Sequence, residues 1–145
     1  MSILIWSFAS LLSAQTPAAY HLDDIKSASV LVEHYDNIPC APAVDDVRTS
    51  VNFILGQSAI KIRKGAKTYV YIALNFTDYC AAVDVTLEVL APVRVVDTNT
   101  LIPTATIWDD GTLLTGASDM RSRILATVEE ECKRFVVDWN SMNKR

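Results

Sequence analysis

The residues from Tyr69 to Trp108 alternate between apolar and polar positions with the period of two that is typical of β-strands. Between Tyr69 and Phe76 the even positions are fully apolar, and between Val83 and Val95 the odd positions are apolar while polar side chains fill most of the others. A third alternating segment, Ile102 to Trp108, follows the turn-like residues 97–100. Because the connections are short, the pattern predicts a meander of antiparallel strands with one buried face.

Two other segments have the period of an amphipathic helix. The first is predicted from Ala43 to about Gly56, with a stripe of aliphatic side chains on one side and acidic residues in its first turn, where the helix dipole favours negative charge. The second is predicted from about Asp119 to Met142. Its apolar stripe consists of Ile124, Leu125, Val128, Cys132, Phe135, Val136 and Trp139. On its outer side, ion pairs are expected from Glu129 to Lys133 and from Glu130 to Arg134.

Two shorter strands, Ser29 to Tyr35 and Ala59 to Lys64, complete the predicted order β-α-β-β-β-β-α. The simplest way to bury one sheet face and two helical stripes is an α+β fold, with a single, mostly antiparallel sheet of four to five strands and both helices packed on one face. Residues 109–111 (Asp-Asp-Gly) and 116–118 (Gly-Ala-Ser) are typical of turns.

The first residues carry the pattern of an export signal. The run from Ile3 to Leu12 is apolar or small and is followed by Ser13-Ala14, which predicts a signal peptide over residues 1–14. The alternative is a buried N-terminal helix, because core helices can have apolar runs of this length. Residues 15–28 are expected to form a loose lead-in, and residues 29–145 a single α+β domain.

Composition narrows the class of protein. The chain has 145 residues, 50% of them hydrophobic, and a formal net charge of −4, which is sufficient for one globular core. An acidic chain without a large basic cluster does not favour nucleic acid as a partner, because phosphate binding needs concentrated positive charge. The basic residues Lys61, Arg63, Lys64 and Lys67 are instead interpreted as the charged edge of a strand.

The three cysteines have different surroundings. Cys132 lies in the apolar stripe of the last helix and is expected to be buried. Cys40 and Cys80 both lie in predicted loops, so they are the pair expected to form a disulfide in an oxidising compartment. The alternative is a thiol enzyme in which His34 activates Cys40.

The chain offers few groups for a metal or a cofactor. His21 and His34 have no paired spacing, no C-x-x-C motif is present, and the adjacent acids at 23–24, 45–46 and 109–110 suit helix starts and turns better than acid–base catalysis. No nucleotide-binding or nucleophile-elbow motif is present either. No catalytic residue, metal site or cofactor is therefore predicted.

One strand presents a candidate interaction face. Tyr69, Tyr71 and Asn75 lie on the side of their strand opposite the apolar stripe, and Tyr is enriched at protein interfaces. The alternative is that a loop or the N-terminal segment covers them. Asn75-Phe76-Thr77 also satisfies the glycosylation sequon.

The end of the chain resembles small exported bacterial proteins of unknown function. The resemblance rests on the strand 104–111 (Thr-Ala-Thr-Ile-Trp-Asp-Asp-Gly) and on a final helix ending in residues 135–143, which have the pattern F-x-x-D-aromatic-x-x-x-N. The order of the earlier elements is similar to that of small α+β domains of periplasmic assembly proteins, such as those of curli secretion. These resemblances imply a periplasmic or secreted module that binds another macromolecule, and they imply no catalytic residues.

Taken together, these patterns predict a non-enzymatic periplasmic or secreted domain that acts through protein contacts. Its partner is expected to be an envelope protein or a second copy of the chain, without nucleic acid and without stable membrane insertion after signal cleavage. The alternatives are a small periplasmic hydrolase or thiol enzyme, and a carrier with a small-ligand pocket between sheet and helices.

Overall fold

A β-α-β unit begins the fold. In the computed structural model, which describes residues 22, 25–35, 37–95, 97–116 and 118–143, strand β1 (Ser27–Val32) leads into helix α1 (Val44–Gly56) and returns as the two-residue strand β2 (Lys61–Ile62). β1 and β2 are parallel, because a helical crossover brings the chain back in the same direction. α1 packs on β1 and β2.

A meander and a long helix complete the chain. Strands β3 (Tyr69–Phe76), β4 (Ala82–Arg94) and β5 (Leu101–Thr115) are followed by α2 (Met120–Asn143). The five strands form one sheet in the order β2-β1-β3-β4-β5. The α+β class and the β-α-β-β-β-β-α order are confirmed. The sheet is mixed, since β1 is parallel to both of its neighbours while β3-β4 and β4-β5 are antiparallel.

The register of the meander puts the predicted apolar positions on one face. Val70 lies opposite Val89, Ile72 opposite Leu87, and Leu74 opposite Val85. All six of these side chains are buried, and each contributes roughly 1.5–3 kcal/mol by leaving water. α2 packs on β4 and β5, and α1 packs on α2, so both helices cover this face.

β5 is longer than predicted. The turn expected at residues 109–111 does not form, and the strand continues to Thr115 because β4 provides partners along its whole length, with Asp109 opposite Glu88 and Gly111 opposite Thr86. The hydrogen bonds between β5 and β4 stabilise the extended strand more than the local preference of Asp-Asp-Gly stabilises a turn. The break expected at residues 116–118 coincides with the end of β5, where Gly116 has a φ of 94° that suits glycine.

The described part of the N-terminal segment contributes to the core. Leu22 and Ile25 are buried, and the Ile25 carbonyl accepts a hydrogen bond from Nε1 of Trp139 at 3.2 Å. The signal peptide predicted over residues 1–14 lies outside the described residues, as do His21 and the acids at 23–24. Among the described helices, none combines the length and the apolar character that crossing a membrane requires.

Candidate functional site

The sheet has a second face that neither helix covers, here called the open face. Its central rows follow from the register: Tyr69 opposite Leu90, Tyr71 opposite Glu88, and Asn75 opposite Asp84. In β3 and β4 the side chains on this face are half-buried or exposed, whereas the helix-side residues from Val70 to Leu74 and from Val83 to Val89 are buried. The open face consists of Leu31 and Glu33 from β1 and its end, Tyr69, Tyr71, Ala73 and Asn75 from β3, Asp84, Thr86, Glu88 and Leu90 from β4, and Asp109, Gly111 and Leu113 from β5.

Apolar groups on the open face lie on several strands. Leu31 pairs in register with Tyr71, and its side chain is 45% exposed. Leu113 on β5 is 66% exposed. The two tyrosines and two leucines therefore offer aromatic and aliphatic surface to solvent, which is the composition that favours a contact surface over a purely solvated sheet face.

The open face is also acidic. It carries the carboxylates of Glu33, Asp84, Glu88 and Asp109. The amide of Asn75 donates to Oδ2 of Asp84 at 3.4 Å, and the hydroxyl of Thr86 donates to the same oxygen at 3.2 Å. These contacts orient one carboxylate without neutralising it, so the face attracts positive charge.

Tyr71 remains a neutral phenol in this setting. Partial burial raises its pKa, and the hydrogen bond to Glu33 and the negative charges of Glu33 and Glu88 raise it further. A phenol beside a carboxylate donates a hydrogen bond to it and keeps its own proton. Tyr71 therefore contributes an uncharged phenol, rather than a phenolate, to the open face.

A disulfide joins Cys40 and Cys80, with their Cα atoms 6.2 Å apart, as the sequence predicts. It ties the loop between β1 and α1 to the connection between β3 and β4. The sulfur of Cys40 is therefore not available as the nucleophile of the thiol-enzyme alternative, and the exposed His34 lies at the end of β1. Disulfides persist in oxidising compartments, so the bond favours an extracytoplasmic location.

Cys132 is fully buried, as predicted, and burial raises the pKa of its thiol to about 12. Since the thiolate is the reactive form, this cysteine is inert in the folded protein. Within the described residues, no three His, Cys, Asp or Glu side chains are grouped closely enough to hold a metal ion.

A strained turn adjoins the disulfide and was not predicted from the sequence. Tyr79 and Cys80 have φ values of 56° and 57°, which non-glycine residues rarely adopt, and the Tyr79 side chain is fully exposed. An open groove of about 710 Å³ lies beside them, lined in part by Ile38, Pro39 and Phe76. No motif in the sequence distinguishes this turn from an ordinary loop.

A buried carboxylate on α2 was likewise not predicted from the sequence. Glu131 on α2 is completely buried, and this burial raises its pKa to about 7, with Asp110 and Asp84 adding to the rise and Thr112 and Arg134 opposing it. Within the described residues, neither carboxylate oxygen has a hydrogen-bond partner in good geometry. Its position, three residues after Val128 and four before Phe135, places it in the apolar stripe, and that spacing was the available signal.

The two predicted ion pairs of α2 are present. Lys133 lies 3.9 Å from Glu129, and Arg134 lies 3.5 Å from Glu130. Arg134 also pairs with Asp110 of β5, which links the helix to the strand. Asp110, Glu130, Lys133 and Arg134 line an open cleft of about 380 Å³ together with Trp108 and Asp138. Surface pairs of this kind contribute little to stability individually.

Comparisons with known proteins found distant likenesses to solved structures. No protein-family model and no curated protein matches the chain. A dodecameric PelC from Paraburkholderia phytofirmans is similar at a TM-score of 0.44 with 16% identity over 83% of this chain and 90% of that one, and a point variant of that protein gives 0.42 with 17% identity over 79% and 86%. A protein from Caulobacter crescentus CB15, provisionally described as a lipoprotein, gives 0.37 with 9% identity over 83% and 93%. These solved structures are small bacterial proteins, and the likeness at these values assigns no role to any residue here.

Proposed function

We propose that this protein is a periplasmic or secreted domain without enzymatic activity that acts by docking a protein partner on the open face of its sheet. The observation that carries the proposal is the contrast between the two faces. The helix side is filled by α1 and α2, whereas Tyr69, Tyr71 and Leu31 lie on the side that neither helix covers.

Charge indicates the kind of partner. Glu33, Glu88 and Asp109 lie on the same face as Tyr71, so the complementary surface carries Lys or Arg around an apolar centre. Tyr rings at the middle and charges at the rim are the usual anatomy of a protein interface. Electrostatic attraction of this kind raises the rate of association and selects among partners.

The compartment is supported by two independent features. The Cys40–Cys80 bond is typical of proteins that mature outside the cytoplasm. The apolar run from Ile3 to Leu12, followed by Ser13-Ala14, has the pattern of an export signal. Both agree with a partner in the cell envelope or outside the cell.

The test uses a photo-crosslinking amino acid placed at Leu31 in the exported protein, with the same group at Phe53 as the control. Phe53 is 67% exposed on α1, outside the open face. The protein captured at Leu31 is then purified, and its affinity is measured for the wild type and for Tyr69→Ala/Tyr71→Ala.

We expect the double variant to bind at least about tenfold more weakly, since buried aromatic anchors dominate interface energies, while Phe53→Ala binds as the wild type does. Equal affinity of Tyr69→Ala/Tyr71→Ala and wild type, with an unchanged circular dichroism spectrum and melting temperature, would contradict the proposal.

A further inference from the structure

At one edge of the sheet, strand β2 is too short to pair with the whole length of β1. β2 pairs only with Ser27 and Ala28 of β1, and the last backbone contact on that side is the Arg63 amide donating to the Ala28 carbonyl at 2.9 Å. Within the described residues, the outward backbone groups from Val30 to Val32 have no partner. Unpaired edge groups of this kind accept a further strand.

A groove lies along this edge. It has a volume of about 570 Å³ and is lined by β1, by Arg48 and Asn52 of α1, by residues 62–65 and by Tyr69 at the start of β3. The groove therefore offers an incoming strand the outward backbone of β1 beside the basic side chains of Arg63 and Lys64.

The opposite edge of the sheet is also open. β5 has 15 residues, and among the described residues it pairs only with β4, so none of them occupies its outer edge, which is roughly 50 Å long. Leu113 is exposed near its end, and Asp109 is exposed near its middle. A strand this long with a free edge is a site for pairing with another chain.

The two edges have opposite charge. Lys61, Arg63, Lys64 and Lys67 are all exposed beside the β1 groove, and none of them forms an ion pair with a described carboxylate. On β5, Asp109 is likewise without an ion pair to a described cation. Among the described residues, therefore, neither edge has its charge complemented by an ion pair, and the two edges suit each other.

We propose that the occupant of the β1 groove is β5 of a second copy of this chain. The incoming strand pairs with the outer edge of β1 at Val30–Val32 and brings Asp109 towards Arg63 and Lys64. The sheet then continues from one copy into the next.

Pairing of unlike edges is favoured over pairing of like edges. Two β5 strands related by a two-fold axis would bring their acidic residues together, which is unfavourable. Two β1 edges would bring their basic loops together. The contact is therefore head-to-tail, and repetition gives a closed ring or an open filament.

The test measures the oligomeric state by sedimentation velocity over a range of protein and salt concentrations. We expect wild-type protein to associate with rising concentration and to dissociate as salt rises. Arg63→Glu/Lys64→Glu and Asp109→Lys should each weaken association by about tenfold or more, because each puts like charges at the contact. Asp97→Lys, in the exposed turn between β4 and β5, is the matched control and should associate as the wild type does.

Mixing the two variants gives the decisive result. One variant then has acidic groups at both edges and the other has basic groups at both, so an equimolar mixture should assemble although each variant alone does not. Zero-length cross-linking of isotopically labelled and unlabelled wild-type copies should join Lys64 of one copy to Asp109 of the other. A wild-type protein that stays monomeric at millimolar concentration, a mixture that stays monomeric, or cross-links confined to other surfaces would overturn the proposal.

Discussion

Nε1 of Trp108 on β5 donates a hydrogen bond to Oδ2 of Asp138 on α2 at 2.9 Å. The Trp108 ring also packs against Phe135, with ring centroids 5.3 Å apart. Phe135 and Asp138 are the first and fourth residues of the F-x-x-D pattern in the helix, and Trp108 is the aromatic residue of the preceding strand. The spacing of three residues places both side chains on the same side of α2. The F-x-x-D pattern therefore corresponds to a contact between α2 and Trp108 of β5.

This contact gives a prediction about stability. Asp138→Ala should lower the free energy of unfolding by about 1 kcal/mol, the typical worth of one hydrogen bond, and Phe135→Ala by about 3–5 kcal/mol, because it empties a buried aromatic site. Urea unfolding of Asp138→Ala, Trp108→Phe and the double variant measures the coupling between the two residues. Additive effects of the two substitutions would show that the hydrogen bond contributes nothing in solution.

Glu131 predicts an unusual pH dependence. Its pKa is raised by burial from 4.5 to about 7 in the folded protein, so the folded state holds this proton more tightly than the unfolded state. The group therefore makes stability fall as the pH rises from about 4.5 to about 7, and the loss is complete above that range.

Glu131→Gln removes this dependence. The variant should match the wild type near pH 4 and exceed its free energy of unfolding by about 3 kcal/mol at pH 8, as the shift of the pKa requires. Urea unfolding at a series of pH values checks this, with the exposed neighbour Glu130→Gln as the control. Parallel curves for wild type and Glu131→Gln would show that Glu131 titrates normally.

The disulfide should contribute substantially to stability. It closes a loop with a sequence separation of 40 residues, for which the loss of chain entropy in the unfolded state gives about 2–4 kcal/mol. Cys40→Ser/Cys80→Ser should therefore melt at a lower temperature than the wild type by scanning calorimetry. Reduction of the wild type should produce a similar shift, and an unchanged melting temperature in both experiments would contradict this expectation.

Cys132 should be protected from thiol reagents. Burial and a pKa raised to about 12 leave almost no accessible thiolate at neutral pH. Iodoacetamide labelling followed by mass spectrometry should show no modification of the native protein and complete modification of one thiol in 6 M guanidinium chloride without reductant. Rapid labelling under native conditions would indicate that α2 opens locally.

Much of the fold was predictable because its signal is local. The alternation in β3 and β4 and the helical stripes of α1 and α2 each depend on residues close together in the chain. The Cys40–Cys80 pairing was also predictable, since Cys132 belonged to a helical stripe and the other two cysteines did not. For the candidate interaction face, the sequence placed Tyr69, Tyr71 and Asn75 on one side of β3, and the tertiary structure decided that the two helices lie on the other side.

The sequence by itself determined which side of each helix and strand is apolar, because the spacing of apolar residues depends only on residues close together in the chain. Only the tertiary structure decided that β5 runs through residues 109–111, that Glu131 lies buried in the folded protein, and that the described residues at the two ends of the sheet carry charges of opposite sign. The physical reason is that strand order, strand length and burial depend on partners distant in the chain. Pairing with the 13-residue strand β4 stabilises β5 more than the local preference of residues 109–111 favours a turn. No pattern of neighbouring residues predicts which edge of a strand another strand will pair with.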